Sequence, residues 1–467
     1  MKKPAGTTDP TPIQKGSTFD LERIPAAAIT ATLFVFVLGI YWASPVVTVT
    51  DSLWTLYVSA SILQEGDANL DEYVNLIDLE DDLRVRSSKG HIYSNYPVAT
   101  ALISAPVLWA ADQYYSVRNS GDFFTYLKKH KPDDFTGRLE KFIGSLYAAL
   151  STVPIFLIGS YYLRRRQALL LTLLFAFSTS MWSTASRALW QHGPSVLFLS
   201  IALYLTILAQ EREPLIQYVG FFIAVAYVIR PNNSLSVLFT SLYVLVNHRS
   251  YFGRYLVNAA VVATPFVANN LLVYDAILPP YFLQLFGRFG SLRGFPEALA
   301  GTMISPGRGL FIFTPIFLFS IHGMFLLFKQ GSLTVHSVQL YLLAIILGHW
   351  LIISSFADWD GSWSIGPRYF TDTTPYLTFF LIPVLQHRER IFSRRVWKSA
   401  FLSAAILSTL IHFRCATSIY PFLWNNYPVT YPDGATYRDW DWSDLQFLRG
   451  FCPEDPEKGQ APACWIK

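Results

Sequence analysis

No charged side chain lies between Arg23 and Asp51, and the intervening segment is almost wholly apolar. A run of roughly 20 apolar residues spans a bilayer as a helix. Such a helix satisfies its own backbone N–H and C=O groups, which lipid cannot do. This demand fixes the class of fold, because similar runs recur along the chain. They lie near 24–48, 142–163, 167–188, 193–209, 215–229, 235–246, 255–273, 310–328, 337–355, 370–386 and 396–413. The fifth and sixth are short. Only 15% of the 467 residues are charged, whereas 52% are hydrophobic and 16% aromatic; soluble domains carry about 25% charged residues. The expectation is an all-α polytopic membrane protein with about 11 transmembrane helices (10–13 possible).

Charge sets the expected sidedness, since Lys and Arg gather in short cytoplasmic loops. The stretch "PVATALISAPVLWAADQYY" (97–115) is the ambiguous one. If it does not cross, the basic N-terminal tail shares one side with "RRR" (164–166), "NHRSYFGR" (247–254) and "HRERIFSRRVWK" (387–398). If it crosses, the tail is opposed by every later cluster. The first arrangement is the economical one, and it makes 97–115 a re-entrant or surface-lying helix. Residues 1–23 then form a cytoplasmic tail. Residues 24–413 form the membrane domain, with outer loops 49–141, 274–309 and 356–369, and 414–467 form an extracytoplasmic tail. The long first loop should contain interfacial helices, one of them over 52–65.

The net charge of +4 is small and scattered, and no basic domain or nucleic-acid-binding module is present. Of the three cysteines, Cys452 and Cys464 lie in the polar tail and suit a disulfide if that tail faces an oxidising compartment. Chemistry concentrates on elaborated loops, so a site should lie outside the cytoplasm.

Several residues at the outer ends of the spans are candidates for it. Asp51 closes the first span, where it suits either a cap on the next helix or a base taking a proton from a hydroxyl. In the first loop, Asp71 and Glu72 adjoin Tyr73, and "GHIYSNYP" places His91, Tyr93, Asn95 and Tyr96 before the 97–115 helix. "SRALWQHGPS" (186–195) offers Arg187, Gln191 and His192; "VIRPNNS" (228–234) offers Arg230. Outer arginines run against the usual charge bias and call for anionic partners; a guanidinium matches phosphate with a planar fork of donors. Arg288, Arg293 and Arg308 stand among aromatics in the second loop, where Arg288 and Arg293 read as phosphate ligands. "ADWDGSWSIGPRYF" (357–370) packs Asp358, Trp359, Asp360, Trp363, Arg368 and Tyr369 into one short loop, a set suited to sugar hydroxyls, sugar faces and a phosphate.

Taken in order, "TDS" after the first span, "YSNYPVATALISAPV", "RALWQHGPS" and "WDGSWSIGPRYF" resemble the GT-C superfamily of membrane glycosyltransferases. The likeness is closest to the bacterial branch related to protein mannosyltransferases and aminoarabinose (lipid A) transferases, and covers most of residues 20–390. It implies transfer of a sugar, with inversion, from a polyprenyl-phosphate donor to an extracytoplasmic glycan, lipid or protein. Asp51 corresponds to the base, and Arg187, Arg230, Arg288, Arg293 and Arg368 to donor-phosphate ligands. Glu72, His91, Tyr93, Tyr96, Gln191, His192, Asp358, Trp359, Asp360, Trp363 and Tyr369 become substrate-binding candidates. Many relatives carry a second acid after the third span, where this chain has Gln191 and His192, and a lysine where it has Asn95. A divalent metal stays open as a cofactor. The expected location is the cell membrane, with the N-terminus cytoplasmic. The alternatives are a glycan polymerase or ligase with a diphosphate-linked donor, a lipid or sugar transporter, and a noncatalytic scaffold.

Overall fold

The computed structural model describes residues 24–119, 121–291, 293–426 and 438–451. The N-terminal tail, Cys452 and Cys464 lie outside them; Cys415 is free and buried. The described chain is mostly helical. α1 (Ala26–Ala43) begins after Pro25 and stops at Ser44, just before Pro45, where a helix cannot easily continue.

The first loop folds as a layer with its own apolar core. It comprises α2 (Thr55–Gln64), a hairpin of β1 (Val85–Ser88) and β2 (His91–Ser94), α3 (Ala99–Arg118) and α4 (Phe123–Lys129). Lys89 and Gly90 turn the hairpin with positive φ. Trp54, Tyr57, Tyr73, Leu108, Phe123 and Leu127 pack against Ile143, Tyr147 and Leu197 of the bundle. α2 fulfils the expectation of a helix over 52–65. α3 is long enough to cross a bilayer but falls short in apolarity. Pro106 sits inside it without ending it.

The bundle continues with α5 (Asp134–Leu150), α6 (Thr152–Tyr162), α7 (Arg165–Phe177), α8 (His192–Leu208), α9 (Ile216–Ile229), α10 (Ser234–Asn247) and α11 (Arg249–Tyr274). Asp133 opens α5 by accepting from the N–H groups of Phe135 and Thr136, while the Thr136 hydroxyl accepts from the Asp133 N–H. The second loop holds α12 (Pro280–Gly287) and α13 (Phe295–Ile304). Then follow α14 (Leu310–Phe313), α15 (Leu318–Lys329), α16 (Val338–Ser354), α17 (Thr374–Phe379), α18 (Ile382–Gln386), α19 (Arg388–Ile391), α20 (Arg395–Thr417) and α21 (Tyr420–Leu423).

Among the described residues four helical stretches are long and apolar enough to cross a membrane: Ala26–Ala43, Asp134–Tyr162, Arg249–Tyr274 and Arg395–Thr417. Four shorter apolar helices accompany them. α11 is barely buried, and Val257, Val261 and Leu272 stand on its surface. Such a face suits lipid and not water.

Contacts gather the basic turns at one end. Arg165 donates to the Ile24 carbonyl at the start of α1. Gln167 reaches the Leu385 carbonyl at 2.7 Å, and Gln386 reaches Tyr162. Asn247 bonds Val335 and His336. The long loops and Asp51 lie at the opposite end.

Candidate functional site

At the loop end the bundle opens into a polar cavity of about 420 Å³. Asp51 sits in its wall, on the turn between α1 and α2. It does not cap α2: no side chain caps that helix, whose N-terminal neighbour is Trp54. Its carboxylate instead accepts from Arg368 Nη1 at 3.0 Å, across more than 300 residues of chain. The Arg368 guanidinium lies over the rings of Trp190 (5.2 Å) and Tyr369 (5.5 Å), which hold it flat.

The turn that carries Asp51 is braced from below. Ser52 Oγ donates to the buried Glu140 carboxylate at 2.6 Å. Arg187 Nη2 and Nη1 donate to the carbonyls of Tyr41 (2.6 Å) and Ser44 (3.0 Å), while Lys141 Nζ reaches Trp42 and Ser44. Two cations therefore take the carbonyls left open at the C-terminus of α1. Arg187 is fully buried in this role and does not line the cavity, which corrects its assignment as a phosphate ligand.

Two further Arg–Asp pairs complete the wall. Arg288 donates to the Tyr369 hydroxyl at 3.0 Å, which donates to Asp358 at 3.2 Å; Arg288 and Asp358 are 3.7 Å apart. Burial pushes the Tyr369 hydroxyl up to about 12, with Arg368 and Arg288 pulling against it. Arg230 Nε lies 2.8 Å from Asp372, and its Nη1 donates to His192 Nε2 at 3.2 Å. Because a guanidinium only donates, His192 Nε2 must accept, so in the neutral ring the proton sits on Nδ1. Nδ1 faces Asp372 at 3.8 Å. Asp372 also accepts from Ser195 at 2.7 Å, whose oxygen accepts from Asn233 at 2.8 Å.

Tyr96 adjoins Asp51. Burial, and then the negative charge of Asp51, raise its hydroxyl well above the ordinary range, so it stays protonated. Trp190 Nε1, Gln191 Nε2 and Arg368 Nε belong to cavity-lining residues, are buried and have no acceptor. Buried donors are rarely left so, and oxygen-rich ligands would satisfy them.

The cavity thus collects Asp51, Asn95, Tyr96, Gln191, His192, Arg230, Arg288, Asp358, Arg368 and Tyr369 from the sequence candidates. The others lie elsewhere. Arg293 is exposed and outside it. Glu72 accepts from Ser61, and His91 pairs with Asp71 at 2.5 Å, pinning the hairpin. Asp360 is buried and accepts from the Ser362 N–H at 2.6 Å, shaping its own turn. Trp359 wedges against Gly301, where a Cβ would come within 2.3 Å of its ring. Trp363 does not line the cavity, and Tyr93 lines a neighbouring crevice. Trp190, Tyr281, Gln284 and Asp372 were not singled out from sequence. Among the described residues no group of three His, Cys, Asp or Glu is placed to hold a metal.

Comparison with known protein families, curated proteins and solved structures finds no match to this chain.

Proposed function

We propose that the protein is a membrane glycosyltransferase that moves a sugar from a polyprenyl-phosphate donor to a hydroxyl outside the cytoplasm. The observation that carries this reading is Asp51 facing three arginines in one polar cavity at the loop end of an apolar bundle. A lipid tail can lie along the apolar flank while the phosphosugar enters the cavity. The acceptor oxygen attacks the anomeric carbon as its proton passes to Asp51. The bond from that carbon to the phosphate oxygen breaks, and the configuration inverts. Negative charge grows on the departing polyprenyl phosphate, where Arg230, Arg288 and Arg368 stabilise it. Each arginine is held ready by an aspartate, so little reorganisation accompanies the reaction.

The same reading assigns eleven crossings, a cytoplasmic N-terminus and a site on the outer face of the cell membrane. Separation of the basic turns from Asp51 supports it. The test supplies purified protein with polyprenyl-phosphate and polyprenyl-diphosphate sugars and measures the lipid phosphate released. Turnover of a monophosphate donor by the parent and not by Asp51→Asn is expected. Diphosphate-only turnover would instead indicate a polymerase or ligase, and equal turnover by both proteins would remove the proposed base.

A further inference from the structure

A second space adjoins the cavity, a crevice of about 40 Å³ between the β1–β2 hairpin, the start of α3 and the C-terminal part of α11. Thr55, Asn95, Tyr96, Pro97 and Tyr281 line both spaces, so the two adjoin there. The rings of Tyr96 and Tyr281, with centroids 5.5 Å apart, form the waist.

Two polar groups in the crevice lack partners. Arg86 Nε is buried without an acceptor, and among the described residues no carboxylate lies within 4.0 Å of the Arg86 guanidinium. The nearby α11 carbonyls are already used: Ser88 Oγ donates to Val273 at 2.6 Å and Lys89 Nζ to Leu272 at 2.7 Å. Lys89, unlike Arg86, has a counter-charge in Asp275 at 2.8 Å. Every arginine of the main cavity likewise faces an aspartate. Asn95 Oδ1 is the other group, buried with no donor. Its orientation is set by the amide nitrogen, which donates to the carbonyls of Leu83 (2.5 Å) and Val85 (3.2 Å).

A half-buried cation without a counter-charge is costly until a ligand supplies one. The geometry points to a subsite for the acceptor: the crevice holds the anionic end, carboxylate or phosphate, of a hydroxyl-bearing acceptor molecule, with Arg86 as counter-charge and Asn95 Oδ1 accepting from a hydroxyl. This rests on the reaction proposed above. The waist lies beside Tyr96, on the side of Asp51, and the base must face the acceptor. Inversion places the leaving phosphate on the opposite face of the anomeric carbon, so an anion held beyond Tyr96 belongs to the attacking molecule. The crevice admits about three water-sized groups. That suits a carboxylate or phosphate and excludes a sugar ring, which stays in the main cavity.

The test uses full-length protein in detergent, titrates polyprenyl phosphate calorimetrically until the main cavity is occupied, and then titrates glycerol phosphate and glycerol. The parent is expected to bind glycerol phosphate and not glycerol. Arg86→Gln weakens that binding at least tenfold; Arg86→Lys, which keeps the charge, stays within about threefold of the parent, which separates loss of charge from loss of fold. Equal glycerol phosphate affinity in the parent and Arg86→Gln would overturn the subsite. So would a weakening of polyprenyl phosphate instead of glycerol phosphate, which would give the crevice to the donor. Arg86-dependent glycerol phosphate binding in a protein that turns over no lipid-linked sugar would uphold the anion site while removing the reaction it is proposed to serve.

Discussion

At the scale of single residues, the cavity depends on charges that are paired with one another across its wall. Arg368 is the clearest case: one nitrogen serves Asp51, the plane rests on two aromatic rings, and Nε has no acceptor. Burial alone would lower its pKa, but Asp51 and the surrounding tyrosines raise it, so it stays charged. A lysine in its place would keep the charge and lose both the stacking and the second direction of donation. Arg368→Lys is therefore expected to lower kcat by about 10²-fold or more, as loss of one charge-stabilising donor does, with the helical circular dichroism unchanged. A kcat within threefold of the parent would mean that Arg368 is only a counter-ion to Asp51. The residues that sequence revealed share one property: each is a polar group at the end of an apolar run. The same property misplaced Arg187, because a cation at such an end reads alike whether it meets a phosphate or the carbonyls of another helix. Asp372 was hidden by the opposite circumstance. It lies inside 370–386, an apolar run counted as a span, and only the fold brings Ser195, Arg230 and His192 to it.

At the scale of elements, the turn bearing Trp190, Gln191 and His192 is placed by a close approach of backbones. A Cβ on Gly144 of α5 would lie 2.2 Å from the Ala188 carbonyl oxygen, so that residue must be glycine if the turn is to sit where it does. Gly144→Ala should cost about 1–3 kcal/mol, the usual range for forcing extra volume into packed surroundings. It should also raise KM for the donor, because the turn is pushed into the cavity; thermal unfolding and initial rates together check this. A second element-level device is the tail. Arg308 donates to the carbonyls of Ser362 and Ser364, both at 2.7 Å, and Gln446 and Asn425 bond Ser364 as well. The tail thereby clasps the loop that leads to Arg368. Asp439, beside Arg308, has its carboxyl pushed up to about 7, first by burial and then by Asp360, against the pull of Arg308 and Arg438. An acid whose folded value is raised adds stability below its unfolded value, near pH 4, and loses it as pH climbs through 7. Proteolysis within the tail should accelerate between pH 5 and pH 8 in the parent and become flat in Asp439→Asn. Apolar runs announced where helices lie but not where they break: the run 167–188 is regular α-helix only to Phe177, and 370–386 divides into a short turn, α17 and α18. The clasp was not legible in sequence, since its arginines and amides are scattered among polar residues that look solvated.

At the scale of the whole molecule, one geometric fact organises the rest: the two ends of the bundle differ in kind. α1 has 18 residues and rises about 27 Å, close to the roughly 30 Å of a bilayer's hydrocarbon. At its start Arg165 bonds Ile24, and beyond its finish Asp51 meets Arg368. Short turns rich in arginine therefore lie about one bilayer away from long loops that surround a polar cavity. Neither end alone dictates orientation; the excess of Lys and Arg in the short turns is what supports the proposed cytoplasmic side. Cysteine labelling tests this directly. With the native cysteines replaced by serine, Lys89→Cys on the hairpin should react with a membrane-impermeant maleimide in intact cells. Gln330→Cys, beside His387 at the basic end, should react only after the membrane is opened. Reaction of both from outside would place hairpin and basic turns on one face, and the proposed outer-face site at Asp51 would fall with that arrangement.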